Sequence, residues 1–226
     1  MPPDIEIEVR GERLALLPER AVHWARERTL FAADTHWGKA AAFRAAALPI
    51  PEAMTDDDLA RLARVVERTG AERLIVLGDL LHARSGRAPG TLAAIAAWRA
   101  AHPGLEILLV RGNHDRGAGD PPAEWNVRCV NEPFALAPFE LRHHPGQDGE
   151  GGDGYILAGH LHPAIRLAGR GGQGLRLPCF WFQPHGAVLP AFGSFTGAAS
   201  IAPRPGDQVF VIAGEAVLPA PAPRRR

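Results

Sequence analysis

Four short stretches of the chain carry side chains that bind divalent cations. Asp34-Thr35-His36 sets a carboxylate and an imidazole at i and i+2, which puts both on one face of a strand end. Gly78-Asp79 adds a second carboxylate. Asn113-His114-Asp115 adds an amide, an imidazole and a carboxylate, and Gly159-His160-Leu161-His162 spaces two more imidazoles at i and i+2. Each stretch alone is common; their order, and a donor set of oxygen and nitrogen without thiolate, point to one metal site. Such donors favour Mn²⁺, Fe or Zn²⁺ over copper or a cluster.

The elements that must position these residues can be read from periodicity. Ile5, Ile7 and Val9 alternate, turn near Gly11 and continue into Leu14–Leu17 as a hairpin. Arg28–Ala33 reads as a buried strand delivering Asp34. Thr55 caps a helix whose first turn holds Asp56, Asp57 and Asp58, acids suited to a helix N-terminus; Leu59, Leu62, Val65 and Val66 recur at helical spacing until Gly70. A strand Arg73–Leu77, a helix Thr91–Ala101 and a strand Glu106–Val110 follow. Polar residues thus sit at strand C-terminal ends, where α/β folds place their sites. The second half reads as short strands, Val127–Val130, Phe134–Ala137, Phe139–His143, Tyr155–Ala158, Cys179–Phe182 and Val209–Ala213. A mobile loop is expected over Gly146–Gly154, a hairpin tip over Ala168–Gly174, and a disordered basic tail over residues 219–226 after a single domain of residues 1–218.

A chain of 226 residues fits one domain, and 46% hydrophobic residues can fill its core. Formal net charge is +0, so a polyanionic substrate must be met by a local patch or by bound cations. Cys129 and Cys179 read as buried free thiols. No signal peptide or membrane span is apparent, and a soluble cytoplasmic protein without membrane partners is expected. Lys39 is the single lysine among 25 basic residues and stands beside the first candidate motif.

In order, the stretches resemble the D-x-H, G-D, G-N-H-D, lone His and G-H-x-H motifs of the calcineurin-like metallophosphoesterase superfamily. The resemblance implies an α/β fold, a four-layer αββα sandwich of two mixed β-sheets flanked by helices. It implies that Asp34, His36 and His162 hold one cation, that Asn113, a lone His and His160 hold a second, and that Asp79 bridges both. The lone His is His143 or His144; His143, which directly ends a strand, is favoured. Two cations ~4 Å apart would neutralise a phosphodiester and turn a shared water into an attacking hydroxide. His114 would serve the leaving group as acid and Asp115 would orient His114.

A finer resemblance covers nearly the whole chain. Asp34-Thr35-His36-Trp37-Gly38-Lys39, Phe43-Arg44, Pro49-Ile50-Pro51, Gly78–His82, Leu177–Trp181 and Leu189–Gly197 are similar to the bacterial ligase-associated DNA-damage-response metallophosphoesterases. That implies a Mn²⁺-dependent phosphodiesterase, a DNA endonuclease acting on single-stranded or damaged DNA in repair, associated with an ATP-dependent ligase and a helicase. Thr35 and Trp37 stand where the family more usually has aliphatic residues. Lys39, Arg44 and His82 are the candidate substrate contacts. Trp37 and Trp181 are read as core or as base-stacking rings, and Arg166, Arg170 and Arg176 as a basic patch or as solvated charges. Two other functions stay open, a phosphatase or phosphodiesterase for small nucleotides and a non-catalytic scaffold. The second expects lost ligands, and here the set is complete.

Overall fold

The computed structural model describes residues 4–51, 54–146, 154–168 and 174–220. The body of the Gly146–Gly154 loop, the hairpin tip with Arg170 and the basic tail beyond Ala220 lie outside these residues.

The first sheet runs in chain order. Strands β1 (Ile5–Val9), β2 (Glu12–Leu17), β3 (Ala21–Trp24) and β4 (Thr29–Ala32) form an antiparallel meander; β5 (Arg73–Leu77), β6 (Glu106–Val110) and β7 (Val127–Val130) then continue it in parallel with β4. Helices α1 (Lys39–Ala45) and α2 (Met54–Thr69) lie between β4 and β5, α3 (Pro89–Ala101) joins β5 to β6, and α4 (Asn113–Ala118) follows β6. Because side chains alternate across a strand, β4 to β6 serve two cores at once. Leu30, Ala32, Leu74, Val76 and Leu109 meet Leu62, Val65, Ile95 and Trp98 of the helices. Phe31, Ile75, Leu77, Leu108 and Val110 face the second sheet. Burial on both faces is why these strands read as continuous apolar runs.

The second sheet contains β8 (Phe134–Leu136), β9 (Phe139–Leu141), β10 (Tyr155–Ala158), β11 (Pro163–Ala168), β12 (Gly174–Phe182), β13 (Gly186–Val188), β14 (Ala199–Ser200), β15 (Gln208–Ala213) and β16 (Ala216–Pro219). Its main path is β14-β11-β12-β13-β10-β9-β8, with β15 beside β12 and β16 beside β15. Phe139, Leu141, Leu157, Phe180, Phe182 and Leu189 close the core between the sheets, and Phe139 meets Trp24 edge-on at 5.0 Å. Both sheets are mixed, and together with the helices they make the expected α/β sandwich. Among the described residues all helices precede β7. The outer face of the second sheet carries Cys179, Val209 and Val211 under Ile165, Leu177, Trp181 and Ile201. Cys129 and Cys179 are free thiols. No helix among the described residues is long and apolar enough to cross a membrane.

Parallel pairing decides where the polar residues meet. In the first sheet β4, β5 and β6 run together; in the second, β9, β10 and β13 do. The C-terminal ends of both sets open toward the same place. Backbone hydrogen bonds stitch them there: Asp34 N to the Gly78 carbonyl (3.1 Å), His36 N to Asp79 (2.8 Å), Gly159 N to His143 (3.1 Å) and Phe192 N to Ala33 (2.7 Å).

The acidic triplet of α2 proves divided. Asp56 and Asp57 occupy the first turn, but Asp58 points inward, only 5% exposed. Its carboxylate accepts the Ser194 N–H at 3.1 Å and pairs with Arg61 at 2.8 Å; Arg61 donates in turn to the Phe192 carbonyl. Asp58 thus ties α2 to the segment that clasps the Asp34 turn, beyond the capping role expected of it. Breaking a buried pair by deleting one partner costs about 3–5 kcal/mol. Asp58→Ala is therefore expected to lower unfolding free energy by about that amount in urea titration; a loss under about 1 kcal/mol would refute the tie.

Candidate metal centre

Three of the turns that deliver candidate ligands are bent into left-handed backbone. Asp34 (φ 53°), His36 (46°), Asp79 (55°), His160 (70°) and His162 (48°) all have positive φ although none is glycine. Such residues cost of order 1–3 kcal/mol each and persist only where the surroundings over-determine them. The glycines ahead of two ligands make room for the others. A Cβ on Gly78 (φ +82°) would lie 2.0 Å from His143 Nδ1, and one on Gly112 would lie 2.3 Å from Asp79 Oδ1.

Two buried carboxylates stand at the middle. Asp79 is fixed by the His114 N–H, which donates to Oδ1 at 2.9 Å. Its Oδ1 lies 3.5 Å from His143 Nε2, while Oδ2 lies 3.7 Å from His36 Nε2. The two oxygens of Asp79 therefore face two different sets of candidate ligands. On one side are Asp34, His36 and His162; on the other are His143, His160 and Asn113, whose Oδ1 is 2.9 Å from His143 Nε2. Asp34 accepts the His160 N–H on Oδ2 at 2.8 Å.

Carbonyl acceptors set the tautomers, since a carbonyl can only accept. His143 Nδ1 faces the Leu77 carbonyl at 3.0 Å and His162 Nδ1 faces Gly197 at 3.1 Å, so both rings turn an Nε2 lone pair inward. Burial, helped by neighbouring His114, His162 and Lys39, pushes the His36 pKa down to about 2, which keeps that ring neutral as well. Asp79 is pulled the other way, raised by burial. Asp34 Oδ1 is fully buried without a hydrogen-bond partner among the described residues, although His162 Nε2 is 3.3 Å away. Two acceptors facing each other require a proton or a cation between them. Burial lowers the His162 pKa, but the Asp34 carboxylate together with the Gly197 carbonyl outweighs it and the net shift is upward. Inward lone pairs, buried carboxylates and an orphaned oxygen fit divalent cations.

Of the adjacent histidines, His143 is wholly buried among the carboxylates. His144 sits at the rim, where Glu132 accepts from its Nδ1 at 2.7 Å and from both backbone amides. Its ring is nonetheless 4.3 Å from that of His160. Glu132, which the sequence did not single out, follows a strand end with no motif around it.

His114 and Asp115 part company. Asp115 at the third position of α4 turns back and accepts backbone N–H groups of Gly112 (2.9 Å), Asp79 (2.8 Å) and Leu81 (3.2 Å). Three amides occupy its carboxylate, so the expected orientation of His114 by Asp115 is corrected. The His82 carbonyl takes that role, 2.7 Å from His114 Nδ1, and leaves Nε2 4.0 Å from Asp79 Oδ2. The His82 ring stacks on His114 (4.7 Å, 23°) and its Nδ1 lies 3.3 Å from His36 Nδ1; burial, with His114 and Lys39, lowers its pKa to about 4.

Lys39 begins α1 directly after the His36 turn and is half-buried, its pKa lowered by burial. Arg44 Nη1 donates to the Ile50 and Pro51 carbonyls at 3.3 Å, which places it as a clamp on that loop. Trp37 is core, 3% exposed. Trp181 lies on the outer face of the second sheet, its Nε1 donating to Asp207 at 2.8 Å, so neither indole faces the centre. Arg166 and Arg176 are exposed opposite each other on β11 and β12.

A site of this composition couples binding to stability. Saturating Mn²⁺ at about 100 times its Kd is expected to stabilise the metal-free protein by about 2.7 kcal/mol, read as a rise of several degrees in Tm. Asp34→Ala is expected to shrink that rise. A Tm indifferent to Mn²⁺, Mg²⁺ and Zn²⁺ would rule the site out as a cation centre.

Comparison with known proteins places this geometry. The family model described as calcineurin-like phosphoesterase matches residues 27–177. The crystal structure of the Pseudomonas putida nuclease MPE is similar with TM-score 0.82 and 43% identity, covering 96% of this chain and 100% of that one. A second structure, YfcE, a phosphoesterase from E. coli, is 15% identical with TM-score 0.42, covering 84% and 95% of the two chains, too slight a likeness to bear on the site. No curated protein matches the sequence. With its aligned strand ends, inward lone pairs and facing carboxylates, the chain belongs to the calcineurin-like phosphoesterase family and is a metal-dependent phosphoesterase.

Proposed function

We propose that this phosphoesterase is a DNA nuclease that cleaves phosphodiester bonds of single-stranded or damaged DNA in repair, with Mn²⁺ as its working cation. The likeness to the Pseudomonas putida nuclease, which runs the length of the chain, carries this reading. In it Asp34, His36 and His162 hold one cation, Asn113, His143 and His160 hold the other, and Asp79 serves both. When bound, the cations supply Lewis acidity that offsets the phosphodiester charge and makes water nucleophilic near neutral pH.

The chain's own residues do the rest. His114 N–H and the Asp115 cradle hold the Asp79 turn in place, and carbonyls of Leu77 and Gly197 hold two imidazoles in one tautomer. The His82 carbonyl fixes the proton on His114 Nδ1, so a protonated His114 presents Nε2–H on the Asp79 side, toward the centre. As water oxygen bonds to phosphorus, giving up a proton to solvent, the bond to the leaving sugar oxygen breaks and that Nε2 proton passes to the leaving oxygen. Lys39, at the edge of the centre, meets a flanking phosphate.

The zero net charge favours one other reading, a phosphatase or phosphodiesterase for small nucleotides. The metal-free protein is assayed on bis-p-nitrophenyl phosphate, p-nitrophenyl phosphate and a labelled single-stranded DNA hairpin with Mn²⁺, Mg²⁺ and Zn²⁺. Diester turnover and hairpin incision with Mn²⁺ are the expected results. Turnover of the monoester alone would exclude the nuclease, and no turnover with any metal would favour a scaffold.

A further inference from the structure

Beside the centre stand two phenylalanines that the reaction as described does not use. Phe43 on α1 and Phe195 meet edge to face, ring centroids 5.4 Å apart at 77°. Phe43 is also 6.2 Å from the His82 ring. Phe195 lies two residues before Gly197, whose carbonyl holds His162. The pair therefore flanks the Asp34, His36 and His162 side of the centre. Lys39 Nζ sits 6.0 Å from the Phe43 centroid and 5.8 Å from that of Phe195, a cation held over both rings.

Packing alone accounts poorly for this pair. Phe192, three residues before Phe195, is fully buried, with the Arg61 guanidinium 4.5 Å from its ring. The same segment thus turns one phenylalanine into the core and leaves the next, like Phe43, only partly buried. Leu48, which donates its N–H to the Phe43 carbonyl at 3.0 Å, is 48% exposed. An apolar face with a cation at its edge, adjoining a phosphate-binding centre, matches a nucleotide whose base is unpaired: ring on ring, phosphate on ammonium.

We infer that Phe43 and Phe195 form a stacking shelf for the unpaired base adjoining the scissile phosphate, with Lys39 meeting the phosphate beside it. The inference rests on the nuclease reading and names its substrate more closely, as single-stranded DNA whose flanking base can leave its own stack. A base in a duplex is stacked on its neighbours and cannot use the shelf.

The test uses a short single strand with one cleavable phosphodiester, the other linkages being methylphosphonates. The sugar on its 5′ or its 3′ side bears either a base or none. For the wild-type protein with Mn²⁺, removing the base on one of the two sides is expected to raise KM by about 5- to 100-fold. Phe43→Leu and Phe195→Leu keep apolar bulk, and with it the fold, while removing the aromatic face. In these variants the ratio between base-bearing and abasic strands is expected to fall toward one, with Tm within a few degrees of wild type. A wild-type protein indifferent to the base on both sides, or Leu variants that keep the full ratio, would overturn the shelf alone. Absence of DNA cleavage by a wild-type protein that still hydrolyses bis-p-nitrophenyl phosphate would overturn the nuclease reading, and the shelf with it.

Discussion

Replacing Asp79 by Asn is expected to lower hydrolysis of every substrate by at least about 10³-fold while the protein stays folded. Asp79 Oδ1 faces His143 and Oδ2 faces His36, so this carboxylate stands between the two candidate ligand sets. An amide keeps the shape and one carbonyl oxygen but loses the charge that would hold cations on both sides. Lewis-acid stabilisation is worth several kcal/mol, and each 1.36 kcal/mol is tenfold in rate. The fold survives for a local reason. The His114 N–H can still donate to an amide oxygen, and Asp79 N still donates to Asp115. Burial of the unpaired charge, which raises the Asp79 pKa in the metal-free protein, is relieved by the substitution, so the metal-free Tm is expected to hold or rise. Steady-state assays with circular dichroism decide the point. Retention of more than about a tenth of wild-type turnover would remove Asp79 from the centre.

His114→Ala is expected to separate leaving groups. A positioned general acid contributes about 10²–10⁴-fold, but only where the departing oxygen needs a proton. The sugar oxygen of DNA does need one, whereas p-nitrophenolate leaves as a stabilised anion. DNA cleavage is therefore expected to fall by about that factor, and bis-p-nitrophenyl phosphate hydrolysis by much less. Equal losses on the two substrates would mean that His114 positions rather than protonates. Asp115→Asn provides the contrast. Its carboxylate accepts three backbone amides that hold the Gly112, Asp79 and Leu81 turns, and Asn has one acceptor oxygen where Asp has two. Both substrates should then suffer alike, with a lower Tm, because the substitution displaces Asp79 rather than removing a proton donor.

Much of the molecule was legible in the chain itself, where one residue's chemistry or a short period suffices. The strands Arg73–Leu77 and Glu106–Val110 carry apolar runs that only a doubly covered strand can bury, and both appear with those bounds. The helix from Met54 to Thr69 follows its stripe of Leu59, Leu62, Val65 and Val66. Its neighbours were harder. Strands β3, β13, β14 and β16 are two to four residues long, too short for a period to show, and are set by the partners that pair with them. The exposed half of β12, from Gly174, likewise has no apolar run to announce it and is fixed by pairing with β11.

The site divides along the same line. Residue types and spacing in Asp34-Thr35-His36, Gly78-Asp79, Gly112-Asn113-His114 and Gly159-His160-Leu161-His162 named the candidate donors, because ligand chemistry belongs to single side chains. What each donor faces depends on residues far away in the chain. Only folding set His143 Nδ1 against the Leu77 carbonyl and left Asp34 Oδ1 without a hydrogen-bond partner among the described residues. The same long-range contacts gave Asp115 to three amides instead of to His114, turned Asp58 into a tie for Ser194, and brought Phe43 within 5.4 Å of Phe195 across 152 positions of sequence (195 less 43). Composition and local spacing determined that this chain carries candidate cation donors at strand ends. The parallel registers of two sheets decided which of them meet, because only a register brings the C-terminal ends of β4, β5, β6, β9 and β10 to one point.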